Sequence, residues 1–223
     1  MPPMIPNIPQ GLIIEIIYSF VIIVSSLMIY ISTKELDELS SYKGIKYFRL
    51  AFLFFALAYF FRSFIKFFLM FVDLRNLSNL VIYYINIIML FVFIYASAMS
   101  VFYLMYSVIW KKIKNYNKIH YFLHLFAIII AVVSVVLREI SVLIGIHILL
   151  LLFVAISTYL AHKNSKGKKG GNLYLIYLLV FIFWTINIVD ILVPNFFKLF
   201  QIFVYLISIF LFLLILYKVL RKT

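Results

Sequence analysis

Seven long apolar runs, separated by short polar breaks, dominate this chain of 223 residues. A helix that crosses the hydrocarbon core of a membrane needs about 20 mainly apolar residues. Irregular backbone cannot face lipid, because its polar groups would remain unpaired. The runs are 11–32, 47–71, 80–109, 121–137, 140–161, 173–193 and 199–217. The chain is therefore predicted to be an all-α, polytopic membrane protein with seven transmembrane helices.

The composition agrees with this prediction. Hydrophobic residues make up 67% of the chain and charged residues 12%, with a mean hydropathy of +1.17, whereas soluble domains are roughly 45–50% apolar and 25% charged. An ordinary soluble globule is excluded, and the expected location is the cell membrane with the lipid bilayer as the main partner. The fourth and fifth runs are separated only by Arg138 and Glu139. A tight turn suits this break, and a re-entrant pair is the alternative.

Lysine and arginine are distributed unequally between the two sides of the predicted bundle. Of the 20 basic residues, 15 fall after the first, third and fifth spans and at the C-terminus, and five fall on the other side. Short cytoplasmic loops are enriched in these residues, so the N-terminus is predicted outside and the C-terminus in the cytoplasm. The net charge of +13 then reflects topology, and no nucleic-acid partner is expected.

The segments outside the spans are short. Residues 1–10 contain Pro2, Pro3, Pro6 and Pro9 without Lys or Arg, which indicates an extended extracytoplasmic tail. The membrane domain is predicted over 11–217, followed by a basic cytoplasmic tail over 218–223. The longest polar breaks, 33–46 and 162–172, leave no room for a soluble output domain. Any signal would therefore pass to a membrane or cytoplasmic protein partner.

Polar side chains within the spans cluster toward the predicted outer side. Charged groups in hydrocarbon are costly and mark functional sites unless they reach the interface. At 1.5 Å per residue, Arg62 lies roughly 22 Å from the cytoplasmic start of the second helix, and Asp190 roughly 25 Å from that of the sixth. The candidate ligand-binding residues in this half are Arg62, Lys66, Asn86, His147, Trp184, Asn187 and Asp190.

The spacing of these candidates places them on helix stripes. Arg62 and Lys66 are four residues apart and share a face, and Asn187 and Asp190 are three apart, with Trp184 one turn further in. If both stripes face inward, Arg62 and Asp190 are at compatible depths for an ion pair beneath an outward-facing cavity. Such a cluster favours a ligand pocket over a continuous conduction path.

The alternative is that some of these side chains extend to the outer headgroups. Lys66, Glu15 and Gln201 are the residues best suited to this, and Arg62 could do the same. Under that interpretation the outer cluster would anchor the helices at the interface and would bind nothing.

The sequence contains no recognisable catalytic or cofactor motif. HExxH, GxSxG and Gly-rich phosphate loops are absent, and there is no Cys for thiolate chemistry. His120 and His124 are four residues apart, but no carboxylate or Cys joins them in that turn, which favours a structural role over a metal site. A bis-imidazole haem site would require paired His on two helices at one depth. No enzyme activity, metal or cofactor is predicted.

The layout resembles the broad group of seven-helix receptors, microbial opsins, prokaryotic seven-helix sensor modules and small seven-helix carriers. The segment KYFRLAFLFFALAYFFRSF at 46–64 is similar in residue pattern to sensor-module helices. The diagnostic residues of the other groups are missing: the seventh span has no mid-helix Lys for retinal, and the third ends in MYSVIW at 105–110 without a DRY-like triplet. The Pro-Gln pair of sugar carriers occurs only at Pro9-Gln10, outside the spans. No functional residue is transferred from these families.

Two functions from different classes remain open, with a third as a further alternative. The first is a receptor-like sensor that binds a small molecule or lipid in an outer pocket and signals through partner proteins. The second is a small-solute transporter, and the third is a non-catalytic subunit of a membrane complex. An internal repeat is also conceivable, with the first three spans echoed by the last three and the fourth as a linker, although no motif repeats between the halves.

Overall fold

The computed structural model describes residues 10–40, 42–73, 79–110, 116–137, 139–165, 172–192 and 198–221. These residues form seven long helices and one short one, and the fold is all-α. The helices are α1 (Gln10–Ser32), α2 (Lys34–Leu39), α3 (Gly44–Asp73), α4 (Asn79–Ile109), α5 (Tyr116–Leu137), α6 (Ile140–Ser165), α7 (Asn172–Leu192) and α8 (Lys198–Leu220). The long helices correspond in order to the seven predicted spans.

Six helices in the described part of the chain are long and apolar enough to cross a membrane. Among the seven long helices the exception is α7, in which the apolar stretch within the described residues is shorter, Tyr174–Val189. The described helices contain no proline, so their backbone ladders run without interruption. Buried hydroxyls donate to carbonyls one turn back in their own helix, for example Ser134 Oγ to Ile130 O at 2.8 Å and Thr158 Oγ1 to Val154 O at 2.9 Å. The protein is thus a multi-pass membrane protein whose polar groups are largely satisfied within the helices.

The structure agrees with the tight break predicted between the fourth and fifth spans. Helix α5 ends at Leu137 and α6 begins at Ile140. The carbonyl of Glu139 accepts the N–H groups of Val142 and Leu143, both at 3.1 Å. The two helices are 22 and 26 residues long, which is ample for two separate spans and unlike a re-entrant pair. The predicted N-terminal tail, residues 1–9, and Arg138 lie outside the described residues.

One helix was not predicted. The break 33–46, expected to be a polar loop, contains the short helix α2. Arg49 of α3 holds it in place: its Nη1 lies 2.6 Å from Asp37 Oδ2, and its Nε donates to Tyr30 O at 3.2 Å. The guanidinium also lies 4.8 Å from the centre of the Tyr30 ring. A six-residue helix is too short to be stable by itself, so this tertiary contact determines its structure.

Six of the long helices form a closed ring. Each packs on the next in the order α1, α3, α4, α6, α7 and α8, and α8 returns to α1. Helix α5 lies outside the ring, packed mainly on α4 through a seam in which Ala127, Ala131 and Ser134 are fully buried. Small residues allow such close helix approach in membranes.

The bundle has two ends, the α2 face and the far face. The α2 face is the end that carries α2 and the end of α8, and the far face is the end at which α1 begins and α3 ends. The buried core runs along the ring axis and is rich in aromatic side chains, with Phe52, Phe55, Phe183 and Phe212 in mutual contact.

Candidate functional site

A cavity of about 280 Å³ lies between α3, α4, α6 and α7, toward the far face. Most of its wall is apolar or aromatic. Six lining residues other than Trp184 have a polar group in their side chains. The lining residues are Phe55, Ala58, Tyr59, Arg62, Leu90, Phe93, Ser97, Ser100, Leu143, His147, Trp184 and Asn187. An apolar cavity with a few convergent polar groups is typical of a small-molecule site.

Four of the seven candidate residues line this single cavity: Arg62, His147, Trp184 and Asn187. Asn86 does not line it; the side chain is half-buried, and its Oδ1 has no hydrogen-bond partner in the described part of the chain. The side chains of Lys66 and Asp190 lie outside the described residues. The proposed Arg62–Asp190 ion pair therefore stays a prediction.

Arg62 forms an ion pair with Glu15, a partner that the sequence did not indicate. Arg62 Nε lies 3.5 Å from Glu15 Oε1, with side chains that are 17% and 8% exposed. The guanidinium carbon also lies 5.9 Å from the ring centre of Tyr18 and 5.8 Å from that of Tyr59, within cation–π range. Glu15 does not extend into solvent as the headgroup interpretation required, because it is buried between helices.

Asn187 joins three helices through its amide. Its Oδ1 lies 3.0 Å from Tyr18 Oη of α1, 2.9 Å from Tyr59 Oη and 3.5 Å from Arg62 Nη1 of α3. Its Nδ2 donates to Phe183 O within α7 at 2.9 Å. The two tyrosine oxygens are themselves 2.9 Å apart, so they form a triangle of hydrogen-bonding distances with the amide oxygen. The two hydroxyl groups have one proton each, and only two sides of the triangle can therefore be hydrogen bonds. The amide oxygen is thus occupied by protein donors, which assigns Asn187 a role in holding the helices together.

His147 lines the cavity from α6. Its Nδ1 lies 2.8 Å from Leu143 O in the preceding turn of α6. Because a carbonyl can only accept, Nδ1 carries a proton, and the neutral ring has its lone pair on Nε2. Nε2 has no hydrogen-bond partner among the described residues, and the side chain is half-buried at the cavity wall.

Trp184 of α7 forms part of the cavity wall. It is 6% exposed and contacts Phe55 edge-on, with ring centres 5.8 Å apart. Its Nε1 has no hydrogen-bond partner in the part of the chain that the structure describes. Buried indole N–H groups usually find an acceptor, so this donor is an unsatisfied group close to the cavity.

Sequence reasoning missed several contributors to the site. Tyr18 and Glu15 of α1 were not included because nothing in the first span indicates which face meets α3. Ser97 and Ser100 also line the cavity, from α4, and were not among the candidate residues. Gln201 donates from Nε2 to Tyr205 Oη at 2.8 Å, within α8.

A second polar cluster, formed by α4 and α5, contains His120 and His124. Tyr103 Oη lies 3.0 Å from His124 Nε2 and 3.3 Å from His120 Nδ1. Tyr95 Oη lies 2.7 Å from His124 Nδ1. Both imidazoles are thus engaged by tyrosines, and no group of three His, Cys, Asp or Glu side chains comes together in the described ranges. The cluster attaches α5 to the ring.

The fold and the cavity define a multi-pass, all-α membrane protein with an intramembrane pocket. The chain is 29% identical to an uncharacterized protein of Archaeoglobus fulgidus, over an alignment of 235 residues that covers 99% of both chains. No family model matches the sequence. No solved structure matches it either.

Proposed function

We propose that this protein is a seven-helix membrane sensor that binds a small molecule or lipid in the cavity between α3, α4, α6 and α7. In this proposal α7, which is 21 residues long from Asn172 to Leu192, also crosses the membrane and is the sixth of seven spans in chain order. The far face lies outside the cell and the α2 face in the cytoplasm, as the Lys and Arg distribution predicts. The observation that carries the proposal is the convergence of Arg62, His147, Trp184 and Asn187 on one largely apolar cavity.

The contacts around the cavity suggest how binding would be transmitted. Tyr59, Arg62 and Asn187 line the cavity and also bond to α1 through Tyr18 and Glu15. A ligand that changes these contacts would favour one packing of α1, α3 and α7 over another, which is a shift between pre-existing states. The basic loops of the cytoplasmic face would report this change to a partner protein, since they are too short to carry an output domain.

Binding is tested by a thermal-unfolding screen of the purified protein against a broad set of small molecules. We expect some compounds to raise the unfolding temperature of the wild type and to lose this effect in Ser97→Leu, which fills the cavity. The matched control is Ala155→Leu, in a separate cavity of about 250 Å³ between α6 and α7; it should leave the effect intact. Stabilisation that survives Ser97→Leu, or none at all, would contradict the proposal, and flux of a bound compound across liposomes would indicate a carrier instead.

The orientation is tested by labelling single cysteines, since the native chain has no Cys. Lys168→Cys in the loop after the fifth span should resist a membrane-impermeant thiol reagent in intact cells. A cysteine at Asn7, in the N-terminal tail, should react under the same conditions. Labelling of Lys168→Cys without cell lysis would reverse the proposed topology.

A further inference from the structure

The wall of the cavity indicates what its ligand consists of, provided that the cavity binds a ligand as proposed above. Phe55, Phe93 and Trp184 supply aromatic surface, and Leu90 and Leu143 supply aliphatic surface. The volume of about 280 Å³ lies at the lower end of the usual range for small-molecule sites. A compact, mainly apolar body would fill it.

The charges near the cavity compensate one another. Arg62 lines the cavity, but Glu15 lies 3.5 Å from its Nε, at the α1 side. The four charged residues that the sequence places within the spans in this half, Glu15, Arg62, Lys66 and Asp190, are two acids and two bases. An anionic ligand would have to compete with Glu15 for Arg62 and would leave a carboxylate uncompensated in a buried site, which is costly. The site therefore favours an uncharged molecule.

Among the described residues, two polar atoms of the wall residues lack a protein partner: Nε1 of Trp184, a donor that is itself buried, and Nε2 of His147, an acceptor that can direct binding. The Nδ1–H of His147 donates to Leu143 O, and Nε2 has no partner among the described residues. A neutral imidazole then offers a lone pair at Nε2, which accepts a hydrogen bond. We propose that the cavity takes an uncharged, mostly apolar molecule, an alcohol or similar hydrogen-bond donor, whose hydroxyl donates to Nε2 of His147.

The chain provides its own optical reporter for this binding. It has two tryptophans, Trp110 and Trp184, and only Trp184 lines the cavity. In a Trp110→Phe background, emission from the remaining indole reports occupancy directly. Three probes that do not absorb at the excitation wavelength test the chemistry: 4-cyclohexylcyclohexanol, its methyl ether and 4-cyclohexylcyclohexanecarboxylate. Measurements in lipid nanodiscs keep partition into the bilayer the same for every variant.

We expect the alcohol to bind about tenfold more tightly than the ether, the factor that one hydrogen bond of ordinary strength provides, and more tightly than the carboxylate. His147→Leu should abolish the preference for the alcohol over the ether, and His147→Gln, which keeps an acceptor, should retain part of it. This rescue separates hydrogen bonding from a merely structural role of the histidine.

Equal affinities for alcohol and ether would overturn the inference, and so would a preference that persists in His147→Leu. If the carboxylate binds most tightly of the three probes, and if Arg62→Gln removes this binding, the cavity is an anion site. That result would overturn the inference and leave the proposed ligand-binding function in place. If none of the three probes changes the emission of Trp184, the cavity does not accept apolar molecules, and both the inference and the proposed function fail.

Discussion

Replacing Arg62 with leucine is expected to destabilise the folded protein by about 3 kcal/mol, because it leaves the Glu15 carboxylate buried without its cation. The two side chains are 3.5 Å apart and only 17% and 8% exposed, so water is largely excluded from a charge that is left there without its partner. Removing one member of a buried pair costs far more than the pair itself contributes. Unfolding by heat or by SDS in mild detergent, followed through tryptophan emission, measures the effect.

A second substitution distinguishes this cause from a general packing defect. Adding Glu15→Gln to Arg62→Leu removes the orphaned charge and should restore a substantial part of the lost stability. Lys34→Gln is the exposed control: its ion pair with Glu38 is 3.7 Å long, and the side chains are 62% and 63% exposed. That change should have no measurable effect. If the double variant is no more stable than Arg62→Leu alone, the Glu15–Arg62 pair is not the source of the loss.

Gly44→Ala is expected to destabilise the protein by about 2 kcal/mol, the usual cost of overpacking a tight contact. A Cβ atom at Gly44 would lie 2.6 Å from the backbone oxygen of Ser107 and would also meet the ring of Tyr42. Backbone cannot move aside as a flexible side chain can, so α3 and α4 would have to separate at the α2 face. The same unfolding assay applies.

Gly145→Ala is the matched control within the same fold. A Cβ at this position of α6 meets nothing within 4 Å, and alanine is a better helix former than glycine by up to about 1 kcal/mol. Gly145→Ala should therefore be neutral or stabilising. Equal behaviour of the two alanine variants would show that α3 and α4 do not approach at Gly44 as described.

The spans were predictable because a helix in lipid is a local structure. Its backbone bonds are satisfied within the segment, so length and apolar content are enough to locate it. The segment from 80 to 109, for instance, was predicted within a residue at its start and at its end, as α4 runs from Asn79 to Ile109. Helix α2 was not predicted, because its stability depends on Arg49 reaching Asp37 from another element.

The site was predicted only in part. Helical spacing placed Trp184 and Asn187 on one stripe, and depth placed Arg62 near them; all three line the cavity. Residue spacing along one helix does not determine which helix lies opposite, so the predicted partner of Arg62 lay on α7 alone, and Glu15 and Tyr18 of α1 were not included. Asn187 lines the cavity, and its amide oxygen is also engaged by the hydroxyls of Tyr18 and Tyr59; a role in ligand binding stays a prediction.

The sequence by itself determined the all-α membrane class, the approximate bounds of the long helices and the depth of Arg62, Trp184 and Asn187 within their spans. These follow from hydrophobic length and from residue spacing along a single helix, which need no knowledge of neighbours. Only the tertiary structure decided the ring order with α5 outside, the Glu15–Arg62 pair and the cavity beside His147. Each of these depends on how the helices are rotated and on which helices meet. In an apolar chain, many such arrangements bury a similar area of surface. Close packing and a few buried polar contacts therefore select the observed arrangement.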